Sequence, residues 1–294
     1  MEWHHFEYFQ TLARTEHMIK SAELLSVSQP ALSRSIKRLE QELGVPLFDR
    51  KGRSIVLNKY GKIFLERVNR ITFELSEAKK ELSEMIEPNS GEVTLGFLHT
   101  LGPSFIPELI RSFMVQFPKI KLNLVQNNSH ALMKQLNSGD IDLCLVPEVH
   151  LQKRTKWTLI KSEELFITLP TTHRLAHLSE LRLDQVEHDS FIFLKSGYSL
   201  RHTTDEIFSE LGIMPNITFE GEEVQTIAGL IASGLGISLL PKIAEAKENK
   251  IVQIPVHSIE CNRLIGVCWN EDSYLSAASQ NLITHILDMY KHRT

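Results

Sequence analysis

"SVSQPALSRSIKRLEQELGVPLFDR", residues 26–50, reads as a capped helix with two unlike faces. Ser28 offers a side-chain oxygen to a backbone N–H that the first turn leaves without a partner. Pro30 falls in that turn, where its missing N–H costs nothing. Ala31, Leu32, Ile36, Leu39 and Leu43 recur at helical spacing and form an apolar stripe. Gln29, Ser33, Arg34, Lys37 and Arg38 occupy the other side, and Gly44 supplies the stop. Such a helix packs its stripe on a core and turns a cationic face toward something negative.

The flanking sequence gives that helix a setting. Upstream, Phe6, Phe9, Leu12 and Ala13 mark a first helix, and Ala22, Leu24 and Leu25 a second, shorter one. "SVS" then makes a tight turn into the basic helix, a helix-turn-helix arrangement. Downstream, "VPLFDRKGRSIVLNKYG" suggests two short strands around "KGR", a hairpin with a basic tip. Residues 28–62 carry eight Lys/Arg against three acids, although the whole chain has a net charge of −4. A basic winged module on an acidic body points to a polyanion site confined to the N-terminal part.

A long helix is predicted over 60–86. Phe64, Val68, Ile71, Leu75, Ala78, Leu82 and Met85 follow alternating steps of four and three, a heptad seam with charged flanks. At about 1.5 Å per residue this helix is roughly 40 Å long, and the narrow seam suits dimerisation. "EPNSG" at 87–91 reads as a boundary. Beyond it, strand-like runs ("EVTLGFL", "IKLNLVQN", "DIDLCLVP", "LFITLP", "SFIFLK", "NITFEG", "ISLLP", "LIGVCWN") alternate with helical ones, ending in "SAASQNLITHILDMYKH". That alternation predicts parallel sheets covered by helices, with ligands at strand C-terminal ends.

The chain's 294 residues accommodate about two domains, and 42% hydrophobic with 23% charged residues is ordinary for a globular protein. No apolar run reaches the roughly 18 residues of a membrane span, and "MEWHHFEYFQ" has no signal-peptide pattern, so a cytoplasmic location is expected. Cys144, Cys261 and Cys268 form no CxxC. GxSxG, HExxH and P-loop signatures are missing, and the 13 histidines lack ligand spacing, with His4 and His5 expected at the surface. No catalytic residue, metal site or cofactor is therefore expected.

The order of these pieces resembles the LysR-type bacterial transcriptional regulators over the whole chain. "FEYFQTLA", "SAELLSVSQPALSRSIKRLEQELGVPLFDR" and "VLNKYGKIFL" carry the specific part, and "GLIASGLGISLLP" a weaker one. Lys20, Ser21 and Asn58 stand where the family usually has Thr, Ala and Thr. The resemblance implies an α/β chain: a winged helix-turn-helix at 1–58, a linker and dimerisation helix at 59–88, and a periplasmic-binding-protein-like effector domain at 89–294. In that domain lobe one would comprise 92–161 and 266–294, and lobe two 162–265. It implies a homodimer through the linker helix and a homotetramer through the sensing domains.

By the same likeness Gln29, Pro30, Ser33 and Arg34 face the major groove of double-stranded promoter DNA. Arg can grip guanine O6 and N7, and Gln can pair with adenine, whereas Lys37, Arg38 and the wing's Arg53 suit phosphates. His99, Thr100, Leu101 and Gly102, at the loop before "PSFIPELI", and Ser129, read as the next helix's cap, would border a cleft. Ser196, Gly197 and Tyr198 with Glu222, Val224 and Thr226 would face them. Helix N-termini and hydroxyls suit a small anion or carboxylate. The expected function is a regulator whose promoter activity a small-molecule effector controls. The alternatives are an enzyme with a DNA-binding head, which turnover would reveal, and a pure ligand-binding protein, which the basic module disfavours.

Overall fold

A computed structural model describes residues 1–51, 54–86, 90–148, 154–244, 246, 248, 250–257 and 259–291. The chain divides into two compact units, Met1–Leu82 and Ser83–Thr294.

The first unit opens with helices α1 (Trp3–Thr15), α2 (Met18–Leu24) and α3 (Gln29–Leu43). Strands β1 (Phe48–Lys51) and β2 (Ser54–Leu57) pair antiparallel, and α4 (Lys59–Ile86) follows. The hairpin tip, with Arg53, lies outside the described residues. Phe9, Leu12, Leu32, Ile36, Leu39, Leu47 and Val68 form one buried core. Each such side chain contributes about 1.5–3 kcal/mol relative to exposure. α3 is built as its residues dictate. The Ser28 hydroxyl accepts from Ala31 N–H at 3.3 Å, Pro30 lies in the first turn, and Gly44 ends the helix at φ +72°. Two polar clips fix the wing to the helices: Glu40 accepts from Leu47 N–H at 2.8 Å, and Glu16 from Leu57 N–H at 3.0 Å.

Asn58 joins wing to long helix. It donates to Pro46 O at 2.9 Å and accepts from Gly61 N–H at 3.0 Å, capping α4. A Cβ at Gly61 would lie 2.2 Å from Leu47 O, so only glycine permits this approach. The heptad seam divides along α4: Phe64 and Val68 pack into the core, whereas Ile71, Leu75, Ala78 and Leu82 are exposed. The side chain of Met85 is outside the described residues. His5 departs from its expected surface position. It is buried in α1, and Glu2 N–H donates to its Nδ1 at 3.0 Å, so it serves the cap of its own helix.

In the second unit the strands are β3 (Gly91–Phe97), β4 (Ile120–Gln126), β5 (Leu143–Pro147), β6 (Thr155–Pro170), β7 (Ser190–Leu194), β8 (Asn216–Gly221), β9 (Ser238–Pro241), β10 (Ile251–Pro255) and β11 (Asn262–Asn270). The helices are α5 (Phe105–Gln116), α6 (Ser129–Ser138), α7 (Ser199–Glu210), α8 (Val224–Ala232) and α9 (Ala277–Lys291). The main sheet runs β10-β6-β11-β5-β3-β4, with β9 also on β6. β3 is parallel to β4 and β5, and β7 to β8, as alternation predicts. β11 runs antiparallel to β5 and β6, and β9 and β10 antiparallel to β6, so the sheet is mixed.

β6 explains how one sheet serves two cores. Its first part pairs with β11 and its last part with β9 and β10. One core gathers Val93 through Ile160 with Ile265 through Ile286, and the other Leu165 through Cys261. "LFITLP" is therefore the end of a 16-residue strand rather than a separate one. β10 goes unread in the sequence because only Ile251 and Ile254 of its five residues turn fully inward.

Candidate DNA interface and effector cleft

In the first unit the polar side of α3 holds Gln29, Pro30, Arg34, Lys37 and Arg38, all exposed, with Ser33 half-buried. Arg34 and Lys37 have no ion-pair partner among the described residues. Arg38 lies 3.3 Å from Glu42 and 3.7 Å from Glu2, so part of its charge is already answered within the module. Exposed pairs of this kind are worth at most about 1 kcal/mol. Uncommitted cations beside a glutamine at a helix N-terminus have the donor geometry that base edges and phosphates accept.

In the second unit a narrow cleft, with about 30 Å³ of free volume, is lined by Leu98, His99, Thr100, Asn127, Asn128, Ser129, Leu194, Tyr198, Ser199, Leu200, Glu222, Val224 and Arg263. Six of the residues expected there from the sequence meet in it: His99, Thr100, Ser129, Tyr198, Glu222 and Val224. Leu101 instead packs in the first core, and Gly102 and Thr226 do not line the cleft. Ser196 and Gly197 border a separate open groove along α7, where Tyr198 is shared.

Local chemistry differs from the expected capping in two places. Asn128, not Ser129, caps α6: its Oδ1 accepts from Ala131 N–H at 2.9 Å. Asparagine and serine are near-equal caps, so the sequence alone leaves the start of this helix uncertain by one position. Ser129 becomes the first helical residue, buried to 1% exposure, with its hydroxyl lacking a hydrogen-bond partner among the described residues. Thr100 lies in a 3-10 turn, His99–Leu101, well before α5 begins. His99 Nδ1 is likewise buried without a partner among the described residues. An unpaired buried polar group costs about 1–3 kcal/mol, and two in one cleft mark a wall suited to a polar guest.

Arg263 is the residue the sequence reading passes over. At 3% exposure it donates Nε to Glu163 at 2.5 Å and Nη2 to Thr100 Oγ1 at 2.7 Å. Lys161 Nζ donates to the other Glu163 oxygen at 2.8 Å. Burial pushes the Glu163 carboxyl up, but Arg263 and Lys161 beside it outweigh burial and hold it below the usual carboxylate range. A signal was available. In "CNRLIGV" strand alternation puts Arg263 on the same inward face as Ile265, and a charge on a buried strand face asks for a reason. At the rim Lys195 pairs with Glu222 at 2.6 Å, lowering its carboxyl. The Tyr198 hydroxyl is raised by burial and then by Glu222. α7 and α8 begin at Ser199 and Val224, both in the cleft lining, without a side-chain cap hydrogen bond.

A winged helix-turn-helix joined to a two-core α/β unit with a polar cleft defines a DNA-binding regulator of the ligand-responsive kind. Residues 3–62 match the family described as "Bacterial regulatory helix-turn-helix protein, lysR family", and residues 87–291 match "LysR substrate binding domain". The chain belongs to the LysR family of transcriptional regulators, which is not an enzyme family. It is 48% identical over 290 residues, 99% of both chains, to the "Uncharacterized HTH-type transcriptional regulator YybE" of Bacillus subtilis (strain 168). The effector-binding domain of QuiR, solved with shikimate, is 25% identical with a TM-score of 0.66, covering 69% of this chain and 98% of that one. Full-length CbnR, solved with its target DNA, superimposes with a TM-score of 0.73 over 97% of this chain and 99% of that one, at 20% identity. Regulators of this family bind promoter DNA and small effectors and form oligomers. No helix among the described residues is long and apolar enough to cross a membrane.

Proposed function

We propose that the polar cleft of the second unit is the effector site, that its effector is a small anion such as a carboxylate, and that occupancy alters how the chain sits on its promoter. The observation that carries this reading is the pair of buried, unpartnered polar atoms, Ser129 Oγ and His99 Nδ1, in the wall that also holds Arg263. QuiR, whose effector domain was solved with the carboxylic acid shikimate, supports the ligand class. An effector acts by binding one arrangement of its domain better than another, and its differential affinity sets how far the populations move. β6 and β11, which run between the two cores, are the elements able to flex in such a change.

The module at 1–58 carries the DNA contacts: Gln29, Pro30, Ser33 and Arg34 toward bases, and Lys37, Arg38 and Arg53 toward phosphates. The segment 59–88 serves dimerisation, a reading supported by the exposed seam positions Ile71, Leu75 and Leu82 on α4. The domain at 89–294 senses the effector. Exposed apolar residues on two edges, Met114, Val115 and Leu124 at α5/β4 and Leu211, Met214 and Phe219 at α7/β8, favour further association of sensing domains into a tetramer. A promoter-bound regulator of this kind works in the cytoplasm.

Replacing Ser129 with Ala removes one hydroxyl at little cost in volume. Ligand-free promoter binding is expected to persist, and the response to a bound acid to fall about tenfold, the equivalent of ~1.4 kcal/mol. Gel shifts with and without the acid check this. An unchanged response places the effector elsewhere.

A further inference from the structure

We infer that Arg263 binds the effector's acid group directly, and that the cleft selects acids carrying a single negative charge. This rests on the cleft being the effector site.

The argument begins with hydrogen-bond supply. Arg263 spends Nε and Nη2 on Glu163 and Thr100, and its Nη1 has no acceptor among the described residues. The planar guanidinium thus has a side left over while it lines the cleft, and that side suits a carboxylate oxygen. Glu163 and Thr100 hold the fork in place, so little side-chain freedom remains to be lost when an acid arrives.

Charge counting then sets the class. Lys161, Glu163 and Arg263 form one contiguous group, with side-chain exposures of 22%, 17% and 1%. Its net charge is +1. The rim pair Lys195–Glu222 adds nothing net. One carboxylate on Arg263 brings the group to neutrality. A second negative charge would sit in the cleft without compensation, and a neutral amide would desolvate the guanidinium without answering it; both are unfavourable for buried charge. The unpartnered Ser129 hydroxyl and His99 Nδ1 then serve a polar, uncharged part of the same molecule.

The test uses the full chain and a fixed panel in thermal-shift and calorimetric titrations up to about 10 mM. The panel comprises lactate, benzoate and shikimate; the dicarboxylates malonate, succinate and phthalate; and the neutral lactamide and benzamide. The tightest binder is expected to be a monocarboxylate, at least about tenfold tighter than any amide or dicarboxylate. Arg263→Gln should weaken it by a similar factor. The double variant Arg263→Gln/Glu163→Gln, which keeps the net charge of the group, should lose it too and covers the case where Arg263→Gln alone does not fold. Glu163→Gln raises the group to +2, so its preference should move toward dicarboxylates, a shift that a merely structural role would not produce. A tightest binder that is dianionic or neutral, or a panel with no binder, overturns the inference. Binding lost in Ser129→Ala but indifferent to Arg263 keeps the cleft and rejects Arg263 as its anchor; binding indifferent to both rejects the cleft itself.

Discussion

The recognition helix and the cleft are both polar sites, and they are built in opposite ways. α3 places its polar side chains within 10 consecutive residues, Gln29 to Arg38, on one helical face. The cleft draws on the turn after β3, the start of α6, the end of β7, the starts of α7 and α8, and β11. A site made from one helix keeps its geometry as long as that helix packs. A site made from six segments depends on two cores and on the strands between them. The first suits contact with a rigid, repeating polyanion, and the second suits a small molecule whose binding has to move something.

That contrast also decides what the sequence reveals. Period, cap and stop signals put Ser28, Pro30, the buried Leu32, Ile36 and Leu39, and Gly44 where the structure has them. The long helix was legible for the same reason, since glycine and proline are missing from its interior and the seam keeps its step. In the cleft, local signals identified loops but not which residues of a loop face inward. Leu101 and Gly102 neighbour Thr100 in sequence yet do not line the cleft. Arg263 lies 163 positions from Thr100, and only the pairing of β6 with β11 brings Glu163 opposite it. Cap chemistry blurred Ser129, because Asn128 beside it competes for the same role. The antiparallel return of β11 was beyond periodicity, which fixes a strand but not its direction.

The comparison can be broken at several strengths. The largest effect is expected from Leu75→Asp, which would bury a carboxylate in the proposed dimer seam. Sedimentation of residues 1–88 should find a wild-type dimer and a monomeric variant, a penalty of several kcal/mol. A wild-type fragment that is already monomeric at micromolar concentration removes the seam from the account. Next, Arg34→Ala should cost about 1–3 kcal/mol of specific promoter affinity and relax base preference at one position. Loss on all sequences alike would recast Arg34 as a phosphate contact. The smallest change is expected from Arg53→Ala, which should flatten the salt dependence of binding by about one unit in log–log slope without altering specificity. An unaltered slope takes the wing tip out of the interface.

The most direct measurement concerns the link between the two sites. A promoter fragment labelled at both ends, bound to the full chain, reports by energy transfer how its ends are held, with and without saturating amounts of the tightest-binding acid. The wild-type distance is expected to change on adding the acid, and at the same acid concentration Ser129→Ala should show little of that change while binding the fragment as well as wild type. A wild-type distance that stays constant while calorimetry shows the acid bound would contradict the claim that the cleft controls the DNA-bound state.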